Sequence, residues 1–258
     1  MKFIGAVVLI LGLCFVGMKA AWFYGLTKPH IPPKLSFFDG QKSISLRSKP
    51  HSLTNYSGNI SEFIKSCTDQ CYFYFQLYIT TDDFFLLLES GQQKLAHLQG
   101  EKYKAKNQIL LENPKVIGLT QALELNPEAK FIFEINSNTR DIHLKLIEKT
   151  KKHYKNIVFH SQFGNIVRAI RSEKPHWNTS LSDDELTTGM MLTNIGLETL
   201  ASIPTDILIL DPVNKSYQNN PKYVAEAQRR SKYVILFSTP EDTEKHKKNN
   251  VSTIVVLP

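Results

Sequence analysis

From about residue 35 to the C-terminus, short apolar runs rich in β-branched and aromatic residues alternate with segments of helical periodicity, which restricts the chain to a sheet whose strands are connected through helices. The strand-like runs are Ser43 to Leu46, Tyr72 to Ile79, Phe84 to Leu88, Lys130 to Ile135, Asn156 to His160, Ile207 to Leu210, Tyr233 to Phe237 and Ser252 to Leu257. Between them, Ile60 to Ser66, Leu119 to Leu125, Ile142 to His153, Gln162 to Ser172 and Lys222 to Ser231 read as helices. Thr239-Pro240-Glu241-Asp242 opens one more, with Thr as N-cap, Pro in the first helical position and an acid following. Largely apolar strands separated by helices imply a parallel sheet covered by helices. For about 230 residues the natural closed form is an α/β fold of the (β/α)8 TIM type, with functional groups at the C-terminal ends of its strands. An open doubly wound sheet is the rival, weakened because no Gly-rich phosphate loop follows any strand.

Ahead of this region, Phe3 to Met18 carries no charge. As a helix the run rises roughly 24 Å, short of a bilayer core of about 30 Å. Lys19 interrupts it but can snorkel, and Ala20-Ala21-Trp22-Phe23-Tyr24 carries the apolar stretch on with aromatics suited to a membrane interface. Residues 1–27 therefore read as a membrane anchor, residues 28–34 as a stiff Pro-rich spacer and 35–258 as the barrel. The alternative is a cleaved signal peptide, although no small-x-small site follows the run cleanly. Leu13 before Cys14 argues against lipidation. The expectation is a single-pass membrane protein with an extracytoplasmic barrel, or, after cleavage, a secreted one. Lys2 favours the N-terminus inside, while Lys19, Lys28 and Lys34 pull the other way.

With 42% hydrophobic and 21% charged residues, the composition excludes a disordered or collagenous chain. A net charge of +7 favours acidic partners such as phosphate groups or anionic lipid only weakly, and no nucleic-acid partner is expected. Beyond the anchor, Cys67 and Cys71 are too few for a zinc site; they suit one local disulfide in an exported domain, or two buried thiols.

A spaced series of segments resembles the glycerophosphodiester phosphodiesterase family from about Ile44 to the last residue. Gln76-Leu77-Tyr78-Ile79-Thr80-Thr81-Asp82-Asp83 and Phe84 to Leu88 are similar to the family's strand, its Thr-x-Asp-Gly turn and the next strand. Gly118 to Leu123, Asn126-Pro127 and Phe131-Ile132-Phe133-Glu134-Ile135-Asn136 resemble its Thr-Leu-x-x-x-Leu helix and Ile-Glu-Ile-Lys strand. Ser161 with Pro175, Ile207 to Pro212, and Phe237-Ser238-Thr239-Pro240-Glu241-Asp242 with the closing Ile254 to Pro258 fall at family spacing. The resemblance implies a barrel that hydrolyses phosphodiesters with a carboxylate-held divalent cation and two histidines as acid and base.

The residues depart from that pattern. The family's His-Arg-Gly is Ser48-Lys49-Pro50 here, its Glu-x-Asp is Tyr74-Phe75-Gln76, and its second His-Asp is Glu89-Ser90. Glu134 alone survives of the metal carboxylates, and the lysine after it is Asn136. The expected protein is thus a catalytically degenerate barrel that binds a phosphorylated head group or a protein partner and needs no cofactor. The alternative is an active, magnesium- or calcium-dependent phosphodiesterase with relocated groups Lys49, His51, Glu89 and Glu134. Gln76, Asn136, His160 and Asp211, all at strand ends, are the expected pocket.

Overall fold

A computed structural model of the chain describes residues 2–31, 35–38, 44–45, 60–67, 72–80, 82–89, 116–210, 221–238 and 253–256. Its strands are β1 (Ile44–Ser45), β2 (Tyr72–Ile79), β3 (Phe85–Glu89), β4 (Ile117–Gly118), β5 (Lys130–Ile135), β6 (Ile157–His160), β7 (Asn178–Thr179), β8 (Ile207–Leu210), β9 (Tyr233–Ser238) and β10 (Thr253–Val256). The helices are α1 (Lys2–Thr27), α2 (Ile60–Ser66), α3 (Leu119–Leu125), α4 (Ile142–Thr150), α5 (Gly164–Glu173), α6 (Asp183–Asn194) and α7 (Pro221–Arg229).

Pairing is parallel along β2-β5-β6-β7 and along β8-β9-β10-β1, and a single parallel bridge, Ser180 to Ile207, joins the two sets. These eight strands follow one another in chain order around the sheet, as in a TIM-type barrel. Two features differ from the expected closed, all-parallel ring. No ladder joins β1 to β2 among the described residues, and β2 is flanked instead by antiparallel β3, itself paired to β4. The cause is local: Thr80 and Asp83 close a tight hairpin, with Thr80 N–H bonded to Phe84 O at 2.9 Å and Asp83 N–H to Thr80 O at 3.0 Å. Asp83 adopts φ 61°, a left-handed conformation that Asp tolerates, at the position where the family turn has Gly.

Strand alternation sorts the side chains into two layers. Outward-facing Phe73, Phe75, Leu77, Phe131, Phe133 and Phe159 pack under Ile64 of α2, Leu123 of α3, Leu146 of α4 and Ile170 of α5. A second outer cluster sets Leu208, Leu210 and Val234 under Leu186 of α6 and Tyr223 of α7. Inward-facing Tyr72, Ile132, Val158, Ile207, Ile209 and Ile235 come from five strands yet meet in one cluster, so the sheet is curled around them. The 3₁₀ turn Ser36–Phe38 plugs this interior from the N-terminal ends of the strands. Phe37 meets Tyr72 edge-on at 5.5 Å, Phe38 stacks on Tyr233 at 4.0 Å, and buried Lys130, the first residue of β5, donates to Phe37 O at 2.6 Å.

Helix α1 contains one stretch, Ala6–Thr27, long and apolar enough to cross a membrane by length and composition. Cys67 is disulfide-bonded and Cys14 is a free, exposed thiol; Cys71 lies outside the described residues. The helix expected after Thr239 also lies outside them.

Candidate functional site at the barrel mouth

The parallel register sets Gln76 beside Glu134 and Glu134 beside His160, so three adjacent strands present one row of polar residues where the sheet's inner face opens. Ser180, directly after β7, continues the row. Inner-face parity on β2 adds Tyr74 below Gln76 and Tyr78 above it.

Glu134 is the centre of this set. Its Oε2 accepts the Tyr74 hydroxyl at 2.5 Å and the Gln76 Nε2–H at 3.3 Å, while Gln76 Oε1 accepts the Tyr78 hydroxyl at 3.3 Å. The half-buried carboxylate is therefore compensated by neutral donors standing where the resemblance would place two metal-binding acids. His160 is 7% exposed. Its Nδ1 lies 2.7 Å from Ser180 Oγ, which itself donates to Leu181 O at 3.0 Å. Ser161 ties the floor of the mouth together, donating to Ile135 O at 2.8 Å and accepting Phe163 N–H at 3.1 Å. Ser137 Oγ does the same between strands by accepting Ile79 N–H at 3.2 Å.

Of the residues expected from sequence, Gln76, Glu134 and His160 come together, and half-buried Asn136 follows β5, its N–H bonded to Leu77 O at 3.0 Å. Glu89 ends β3, in antiparallel register with Phe75 of β2. Lys49, His51 and Asp211 lie outside the described residues. Tyr74 and Tyr78 were readable from the period-2 pattern around Gln76, whereas nothing in the sequence marks Ser180, because β7 is too short to show a period.

A divalent cation wants about six oxygen ligands, several of them carboxylates in a catalytic site. Among the described residues no three His, Cys, Asp or Glu side chains converge on one point, and Glu134 spends an oxygen on Tyr74 and Gln76. The described donors alone do not make a site for such an ion.

No family model and no curated protein matches the sequence. Solved structures do. A glycerophosphodiester phosphodiesterase from Parabacteroides distasonis superposes with a TM-score of 0.55 at 17% identity, over 82% of this chain and 86% of that one. A glycerophosphodiester phosphodiesterase from Thermotoga maritima gives 0.55 at 11% identity, over 84% and 94%. The chain thus has the TIM-type fold of these phosphodiesterases, at identities where the likeness is one of fold.

Proposed function

We propose that this protein is a membrane-anchored barrel of glycerophosphodiester phosphodiesterase fold that acts by binding a ligand at its mouth and has lost the metal-dependent hydrolysis of that fold. The observation that carries the reading is the engagement of Glu134 by Tyr74 and Gln76, which replaces cation ligation by hydrogen bonding. The rim offers the side-chain amides of Gln76 and Asn136 as donors for an oxygen-rich ligand, a phosphoryl group or a protein carbonyl alike. Loss of aligned proton-transfer groups alone would lower turnover by roughly a hundredfold to ten-thousandfold. Helix α1 supports the tether, and the disulfide at Cys67 supports an oxidising, extracytoplasmic setting for the barrel.

The test is incubation of the full chain, in detergent, with glycerophosphodiesters and magnesium or calcium. Binding without release of glycerol phosphate is the expected result. Metal-dependent release that disappears in Glu134→Gln would instead establish the relocated enzyme.

A further inference from the structure

Helix α1 does not merely precede the barrel; its last turns are built onto one end of it. Trp22 Nε1–H donates to Glu198 Oε1 at 3.3 Å, Thr199 Oγ1 donates to Trp22 O at 3.0 Å, and Arg229 Nη1 donates to Leu26 O at 3.3 Å. At Gly25 the approach is so close that a Cβ would stand 2.7 Å from the Thr199 Cβ. Both receiving segments lie just before strands: the 3₁₀ turn Glu198–Leu200 leads into β8, and the C-terminal end of α7 leads into β9. They therefore belong to the N-terminal end of the barrel, the end plugged by Phe37 and Phe38.

Chain connectivity requires the same end independently. From Thr27 to Leu35 the chain reaches at most about 28 Å fully extended, and Phe38 is already inside the plug. Exposed apolar side chains gather there too. Met191 and Ile195, 65% and 66% exposed, stand at the end of α6, and half-exposed Leu200 is in the turn that holds α1. Arg230 fixes that turn, donating to Ala201 O at 2.6 Å and Glu198 O at 2.9 Å, and is itself paired with buried Glu226 at 2.6 Å.

We propose that this N-terminal end is a bilayer-docking surface, with Met191, Ile195 and Leu200 seated in the lipid interface beside α1, so that the mouth carrying Gln76, Glu134 and His160 points away from the anchoring membrane. The inference rests on the retained anchor of the proposed function and goes further: the ligand arrives from the aqueous side and is not a lipid of the bilayer that holds the protein. Tyr72 touches the plug and Gln76 is four residues on, about 13 Å farther along the strand. A head group of the same leaflet is out of reach.

The test uses the full Cys14→Ser chain in phosphatidylcholine vesicles, with an environment-sensitive fluorophore on single cysteines. Met191→Cys and Ile195→Cys report on the docking end, Asn138→Cys and Gln162→Cys on the loops at the mouth. Nitroxide-labelled lipid should quench the first pair several-fold more than the second, and Gly25→Leu should abolish the difference while the chain stays in carbonate-washed vesicles. Equal quenching, stronger quenching at the mouth, or a difference that survives Gly25→Leu would overturn the orientation. A chain released by the carbonate wash would instead overturn the anchor, and the inference with it.

Discussion

A carboxylate on the inner rim of a barrel loses part of its hydration, and at Glu134 the replacement donors are Tyr74 and Gln76. Tyr74→Phe should leave that charge with one neutral donor and cost about 1.5 kcal/mol, the lower end for a hydrogen bond to a charged group. Denaturant midpoints of the wild type, Tyr74→Phe, Glu134→Gln and the double variant would give the coupling directly. Additive effects would show that the contact contributes nothing and would weaken the case for hydrogen bonding in place of a cation. At this scale the sequence disclosed which positions matter, because Glu134 and Gln76 sit at strand ends in a resemblance of known spacing. It did not disclose what the carboxylate touches, since the tyrosine two residues before Gln76 reads equally well as core. Ser180, which holds the His160 ring, was illegible for a further reason: its partner lies on another strand, twenty residues away.

Long elements with a clear period were legible, and short or small-residue ones were not. Leu119 to Leu125 and Lys130 to Ile135 agree with the sequence reading to the residue, whereas two-residue β7 and the whole of α6 went unread. Helix α6 buries Leu186, Gly189 and Thr193, a face with too little hydrophobicity to register as amphipathic. Its start was nonetheless signalled by Ser182-Asp183-Asp184-Glu185, a capping box in which Ser182 N–H bonds Glu185 Oε2 at 3.0 Å. Arg171 of α5 grips the same Glu185 at 2.9 and 3.2 Å, so Ser182→Ala should cost about 1 kcal/mol, measured as a shift in thermal midpoint. The junction of α1 with the barrel should respond to acid. Burial pushes the Glu226 carboxyl up, but hydrogen bonds from Arg229 and Arg230 outweigh it and hold the group below the ordinary carboxylate value of 4.5. A depressed acid contributes stability above its ordinary value, and that stability is lost as pH falls through the folded one. Burial, then Arg229 and Arg230, hold His30 below its ordinary 6.5, so protonation of its ring likewise favours the undocked state as pH falls. Emission from Trp22 in a Trp177→Phe background should therefore change between pH 7 and the acid range, and the change should be missing from Gly25→Leu, undocked throughout. An identical titration in both chains would mean that these groups do not govern docking.

Around the whole molecule, parallel strands in chain order follow from alternation of strand and helix, and seven of these eight were readable, β7 being the exception. The antiparallel hairpin beside β2 was not, because it depends on how Thr80 and Asp83 fold β3 back along β2, a matter of one turn. The curled sheet nevertheless aims Tyr74, Gln76 and Glu134 at one place, since both neighbours touch the same Oε2 atom. That convergence makes the lost cation site restorable in principle. Tyr74→Glu with Gln76→Asp would put three carboxylates at the mouth, close enough to repel one another strongly when no cation is present. The double variant should therefore be less stable than the wild type in chelator, and calcium should raise its thermal midpoint while leaving that of the wild type unchanged. Calorimetric titration should show calcium binding tighter than the roughly millimolar range of weak sites. Glycerophosphodiester turnover should remain absent, because the family's histidine positions are Ser48 and Glu89 here and an ion cannot protonate a leaving alkoxide by itself. Tight calcium binding by the wild-type chain would show that the mouth still holds a cation. A double variant that neither loses stability in chelator nor gains it with calcium would show that these three side chains do not converge, and the register across β2 and β5 would have to be redrawn.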